Sequence, residues 1–477
     1  MSRSIWTRGA VDLAAAVASR QLSAGDVVDA LLQRIEAVNP AINAVTVVLA
    51  EQARAAAEVA DRAVAAGKPL GPLHGVPFTV KENIDLLGTA TTNGVAAFEH
   101  AIPTRDAPGP ARLKAAGAIP IGRTNLPEFG ARWHTDNALR GATRNPWDAG
   151  RTPGGSSGGE AVALATGMTP LGLGNDLGGS LRIPAHCCGI AALKPTPGRI
   201  PHATSIEPLD PVLAAQVMLV QGPMARHVRD LRVAYEVMAG PDPRDPWSVP
   251  APLQATPLPR PVRVAVMTDP KGLVVDPSIA AGVRSAADAL ADAGYDIVEA
   301  EPPGLSDASE VWPVLARAEG AASKLATLAP LLSDDSRRLL TMVSRLTEIT
   351  PEAVALGYVR RHAAARRWSE FQAEHPVILG PAMTRPPFAV GDDLASLESL
   401  REIQTSLRFI VALSTLGLPT VVVPTGVSAG LPTAAQVIGP RYREDVCLDA
   451  AEVIERRLGT PGPIDPVDRP SESTSLR

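Results

Sequence analysis

Two serines sit in glycine-rich settings, Ser156 in RTPGGSSGGE and Ser180 in NDLGGSLR, and a lysine, Lys81, ends the apolar run in GPLHGVPFTVKENID. Glycine at this density permits positive φ and lets the main chain approach a ligand or a developing oxyanion closely. A serine hydroxyl is a weak nucleophile that needs a base. Lysine can be that base only when neutral, and burial favours the neutral form by destabilising the ammonium. Lys81, directly after GVPFTV, fits the end of a buried strand. Gly178 and Gly179 let consecutive backbone N–H groups turn inward, as an oxyanion hole requires. With Ser156 relaying a proton between Lys81 and Ser180, the set could break an amide by acyl transfer. Taken singly, each piece has a plainer reading: a buried lysine as an ion pair, a GGS as a turn.

Other chemistries fit less well. GGSSGG satisfies G-x-S-x-G at Ser156 or Ser157, which raises an α/β-hydrolase esterase with a Ser–Asp–His triad, and five histidines follow it (His186, His202, His227, His362, His375). That reading requires a strand before the serine, whereas RNPWDAGRTP reads as a loop. The loop lacks the G-K-[ST] ending of a phosphate-binding P-loop, so no nucleotide is expected. His186-Cys187-Cys188 has no second Cys/His cluster to complete a metal site, and three cysteines make no disulfide framework. The expectation is therefore no cofactor, no metal and a reducing, cytoplasmic compartment. A net charge of −5 and 3% aromatic residues give no footprint for nucleic acid. The N-terminus has no apolar h-region, and no window reads as a membrane span.

Hydrophobic periodicity supplies the scaffold. Ser23 is placed to cap a helix through SAGDVVDALLQRIEAVN, and EQARAAAEVADRAVAAG reads as a helix stopped by Gly67. INAVTVVL, AIPIGR, TPLGLG, VRVAVM, YDIVEAE, HPVILGP, LGLPTVVVP and PTAAQVIGP read as strands. VRVAVM, a helix from Pro277, and YDIVEAE form a strand–helix–strand unit, which implies a parallel crossover. Residues 306–373 read as mostly helical, and the proline-rich stretch 241–261 reads as a surface excursion. Strand patterns on both sides of it predict one sheet that continues past it. The tail 466–477 is polar and reads as disordered.

Taken together, GPLHGVPFTVKENID (71–85), AGAIPIGRTNLPEFG (116–130), GGSSGGEAVALATG (154–167), GLGNDLGGSLRIPAHCCGIAALKPTPGRIP (172–201) and GLPTVVVPTG…GLPTAAQVIGPR (417–441) resemble the amidase signature hydrolases, a family built on a Ser–cis-Ser–Lys triad. The resemblance implies an α/β fold, a single large domain (1–465) with a mixed sheet covered by helices on both faces. It implies Ser180 as the acylated nucleophile, Ser156 as the bridging serine with a cis peptide bond, and Lys81 as base and later acid. The N–H groups of Leu177, Gly178, Gly179 and Ser180 would form the oxyanion hole, and Ser157, Asp176 and Arg182 would support the loop. Three positions depart from the common pattern: Asn175 stands where relatives carry Thr or Ser, Arg123 where they carry Lys, and Glu82 where they carry Asp.

The expected reaction is hydrolysis of a C–N bond in a neutral aryl or alkyl amide, or in a carbamate, by a monomer or homodimer. A second reading is the amide-hydrolysing component of a tRNA-dependent amidotransferase. The acyl pocket is expected from variable segments around 130–145, 200–225 (a candidate lid) and 306–390. Trp312, Leu325, Leu328, Leu331, Leu332, Leu339, Leu340 and Met342 read first as core and second as an apolar funnel, with PAMTRPPF (381–388) nearby.

Overall fold

The capped helix forms as its sequence predicts. In the computed structural model, which describes residues 4–207, 209–270, 272–322 and 329–467, it runs Ala24–Ile42. The Ser23 hydroxyl accepts from the Asp26 N–H, and the Asp26 carboxylate reaches back to the Ser23 N–H, a reciprocal cap. Its buried face, Val27, Val28, Leu31, Leu32, Ile35 and Val38, is the predicted one. The alanine-rich helix Ala50–Ala65 ends before Gly67, whose φ of +63° reverses the chain.

Among the described residues eleven strands make one sheet: β1 (Val45–Val48), β2 (Pro77–Lys81), β3 (Ile119–Thr124), β4 (Leu171–Asp176), β5 (Ala191–Lys194), β6 (Val220–Ala225), β7 (Arg263–Val266), β8 (Asp296–Glu299), β9 (Val377–Pro381), β10 (Thr420–Ser428) and β11 (Leu431–Ile438). Their order is β1-β3-β2-β4-β6-β5-β10-β11-β9-β7-β8. β2 is parallel to β3 and β4, and β7 is parallel to β8 and β9; the other pairs are antiparallel. The parallel β7–β8 crossover through the helix Pro277–Asp292 matches the strand–helix–strand pattern. Every residue of β2, β4, β5, β6 and β9 is buried, so helices cover both faces of the sheet. The fold is the expected α/β domain with one mixed sheet.

Several expectations need adjustment. The 200–225 stretch is not one loop, because its last six residues are β6, held between β4 and β5 in the middle of the sheet. Its earlier part is tied down at Asp85, which accepts from the Ser205 N–H (2.6 Å) and from both hydroxyls of Thr204 and Ser205. The proline-rich stretch is likewise pinned, by Arg199 donating to the carbonyls of Ala251 and Pro252. In the apolar stripe, Leu339 and Met342 pack on Leu400, and in PAMTRPPF Ala382, Met383 and Phe388 are core, so these five residues take the core reading. Leu325, Leu328 and residues 468–477 of the tail lie outside the described residues.

Candidate active site

β2 and β4 are parallel neighbours, so their C-terminal ends share one edge of the sheet. Lys81 is the last residue of β2, and Asn175 and Asp176 are the last of β4. The chain then turns through residues 177–181 into the helix Arg182–Cys188. The GGSSGG loop precedes the helix Gly158–Ala165, which packs on β4. The fold therefore brings all three expected catalytic side chains to one place from two strand ends and two helix entries.

Lys81 Nζ donates to Ser156 Oγ at 2.7 Å and to Asn175 Oδ1 at 2.6 Å. The Gly155–Ser156 peptide is cis. Lys81 is fully buried, and burial lowers its pKa to about 7, against the opposing pull of Asp176 and Glu160. An amine there is substantially neutral at neutral pH, the condition for a base. Glu160 is itself raised to about 7 by burial, in spite of hydrogen bonds from Thr124 and Thr79, so its negative charge near Lys81 is only partial. Arg123, at one departing position, donates to the carbonyls of Val80, Lys81 and Ile84 and so fixes the end of β2. Glu82, at another, accepts from Thr46 and Thr92 and pairs with Arg140.

Ser180 is 8% exposed and Ser156 is 2% exposed, so both are buried and Ser156 is the deeper residue. Among the described residues no hydrogen bond joins the two hydroxyls directly. The loops are tied instead by the Ser157 N–H, which donates to the Ser180 carbonyl at 3.2 Å. The Ser157 hydroxyl donates to the Asn175 carbonyl at 3.4 Å. Asp176 accepts from the N–H groups of Gly179 (2.8 Å) and Leu181 (3.1 Å) and from two nitrogens of Arg182 (3.0 Å each). Burial alone would raise the Asp176 carboxyl. The Arg182 charge and its hydrogen bonds, aided by Lys194 and the Gly179 N–H, outweigh this and hold it near 2. Arg182 also donates to the Ile410 carbonyl and to Ser414 Oγ, which anchors the loop to the helix Arg408–Leu416. Ser157, Asp176 and Arg182 thus all bond to the main chain or side chains of these loops.

One of the four N–H groups named for the 177–180 loop is engaged within the chain. The Gly179 N–H is committed to Asp176, because the Gly178–Gly179 peptide is held with its carbonyl toward Trp133 Nε1 (3.2 Å). The N–H groups of Leu177, Gly178 and Ser180 have no partner within the chain among the described residues. The α/β-hydrolase alternative fails on local structure, since residues 152–157 form no strand before Ser156. His186 and His134 are buried and His202 is partly buried, and desolvation lowers the pKa of each, to about 4 for the first two.

Sequence reasoning missed Trp133, Gly130 and Gly155. A Cβ on Gly130 (φ +66°) would stand 3.0 Å from Ser156 Oγ, and one on Gly155 would stand 2.7 Å from the Arg132 carbonyl oxygen. Both contacts make the 128–135 loop a wall of the site. In sequence the 130–145 segment reads only as a variable pocket segment, because its glycines and tryptophan carry no motif. Among the described residues no group of three His, Cys, Asp or Glu side chains is arranged to hold a metal ion, and no helix is long and apolar enough to cross a membrane.

Comparison with known proteins agrees with this geometry. The Amidase family model matches residues 26–448. Indoleacetamide hydrolase of Bradyrhizobium diazoefficiens is 44% identical over 457 residues, covering 95% of this chain and 87% of that protein. A glutamyl-tRNA(Gln) amidotransferase component of Roseiflexus sp. is more distant, 34% identical over 467 residues, with 91% and 93% covered. A solved structure of 6-aminohexanoate cyclic dimer hydrolase complexed with substrate superimposes with a TM-score of 0.82 at 30% identity, covering 95% of this chain and 98% of that one. With the fold, the site geometry and these matches in agreement, the chain belongs to the amidase signature family and is an amidase.

Proposed function

We propose that this amidase hydrolyses small neutral amides with an aromatic acyl group, of the arylacetamide class, through an acyl-enzyme on Ser180. The observation that carries the substrate class is the pair Trp133 and Trp312, whose ring centroids lie 6.1 Å apart beside the loop that holds Ser180. Phe98 and Phe129 pack edge to face at 5.9 Å, and Phe129 lies in the same 128–135 loop as Trp133. In a chain with only 6 tryptophans, two at one loop favour a flat apolar acyl group. The similarity to indoleacetamide hydrolase supports the same class.

In this reading neutral Lys81 takes the Ser156 proton as Ser156 takes that of Ser180, and Ser180 Oγ attacks the carbonyl carbon. Backbone N–H groups of the 177–180 loop stabilise the oxyanion. The relay then runs in reverse and protonates the departing amine, which leaves the ester on Ser180. Water attacks the ester by the same proton path and releases the acid. Lys81, Ser156 and Ser180 pass the protons to the departing amine and from the attacking water, so the route calls on no metal and no cofactor. We propose that one small molecule is the only partner and that a monomer or homodimer suffices.

A hydrolysis panel tests this: arylacetamides, anilides, aryl carbamates, acetamide and glutamine, with Ser180→Ala as blank. The expected order puts arylacetamides at least about 10-fold above acetamide in kcat/KM, the discrimination an apolar pocket gives, with carbamates slower. Turnover of glutamine alone would favour the amidotransferase reading and sink the aryl one.

A further inference from the structure

The two tryptophans do more than offer an apolar surface. Trp312 Nε1 donates to the Leu177 carbonyl at 2.9 Å, and Trp133 Nε1 donates to the Gly178 carbonyl at 3.2 Å. In a trans peptide the carbonyl and the following N–H point in opposite directions. Holding the Leu177 carbonyl on Trp312 Nε1 therefore points the Gly178 N–H in the opposite direction within that peptide plane. Holding the Gly178 carbonyl on Trp133 turns the Gly179 N–H away from Trp133, and there Asp176 Oδ1 accepts it at 2.8 Å. Two successive peptide planes are thus clamped by indoles, the second from both sides.

The rings also set the shape of the loop. A Cβ on Gly178 would stand 2.2 Å from Trp312 Cζ2, so the indole lies directly on that glycine. Trp312 is half-buried on the helix Leu305–Ala322, beside Val311 and Leu315, and packs in one cluster with Leu177. Trp133 comes from the loop that walls Ser156. The two indoles thus reach the oxyanion loop from separate segments.

We infer that Trp133 and Trp312 are positioning residues that fix the oxyanion loop through their indole N–H groups. The hole is then built from the N–H groups of Gly178 and Ser180, with Leu177 beside them, and not from that of Gly179. Catalysis depends on donors aimed at the position of the oxyanion, and a misplacement of about 1 Å can cost about 100-fold. The inference rests on the Ser180 acyl-enzyme reading proposed above.

The test replaces each tryptophan by phenylalanine, which keeps a ring and removes the donor. A second pair of variants carries benzothienylalanine, which swaps the N–H for sulfur at nearly the same shape and guards against misfolding. For Trp312→Phe we expect kcat to fall about 10- to 100-fold with KM changed less than about 3-fold. Binding of an arylmethyl boronic acid, which becomes tetrahedral on a serine, should weaken in step with kcat, while a planar arylacetate binds as before. Rates matching the parent in both benzothienylalanine variants would overturn the inference. So would equal weakening of the boronic acid and the planar acid, which would mark the rings as pocket wall only. Persistent turnover in Ser180→Ala would refute the underlying acyl-enzyme reading instead, so the two failures are distinguishable.

Discussion

Asn175 offers the sharpest handle on the proton chemistry. Its Oδ1 accepts from Lys81 Nζ at 2.6 Å, and its Nδ2 donates to Asn83 Oδ1 at 3.0 Å. Asn175→Asp keeps the shape and puts a full negative charge on the lysine; Asn83 can turn its amide to donate to the new carboxylate. At the 2.6 Å separation, two unit charges attract by about 6 kcal/mol at an effective dielectric of about 20. At about 1.4 kcal/mol per pKa unit this is about four units, and desolvation of the new carboxylate roughly halves it. Lys81 should move from about 7 to about 9 or higher. The sign follows from its role as a base: activity is present above the Lys81 pKa and is lost as pH falls through it. The parent should therefore show an acid limb in kcat/KM near pH 7, and the variant's limb should lie about two units higher, with a loss of about 50-fold at pH 7. The assay is the pH profile of kcat/KM on an arylacetamide, with Asn175→Thr as an uncharged control whose limb stays put. A folded Asn175→Asp enzyme with an unmoved acid limb would refute the assignment of that limb to Lys81.

Two further predictions follow from the loops. Asp176→Ala strands the fully buried Arg182 and should cost about 3–5 kcal/mol, read as a lower midpoint in denaturant. Because the Asp176 pKa is depressed to about 2, this contribution is present above the ordinary carboxylate pKa and is lost as pH falls through about 2, so the deficit is full at neutral pH; parent-like stability there would contradict it. Gly130→Ala adds a Cβ at positive φ, 3.0 Å from Ser156 Oγ, and should lower kcat by about 10-fold or more with little change in KM, which steady-state kinetics will read.

What the sequence showed and what it hid follow from physics. Glycine-set serines and a lysine after an apolar run are local signals, and they converge because β2 and β4 end side by side. The Ser23 cap and the Gly67 stop are local as well. β6 was hidden because VQGPMA carries glycine and proline, which read as turn residues, and its strand identity comes from pairing with β4 and β5. Trp133, and the hold of Trp312 on the loop, were hidden for a related reason. Their hydrogen bonds go to backbone carbonyls far away in sequence, which leaves no motif; the scarcity of aromatic residues was the one available signal. The commitment of the Gly179 N–H to Asp176 depends on the direction of a peptide plane, which residue types alone do not set.

The central claim is that Ser180 carries the acyl group. Labelling with an arylalkyl fluorophosphonate, followed by peptide mass spectrometry, tests it directly. One adduct is expected, localised by fragmentation to Ser180 within the peptide 152–182, abolished in Ser180→Ala and slowed in Lys81→Ala. An adduct on Ser156 or Ser157, or undiminished labelling of Ser180→Ala, would contradict the claim.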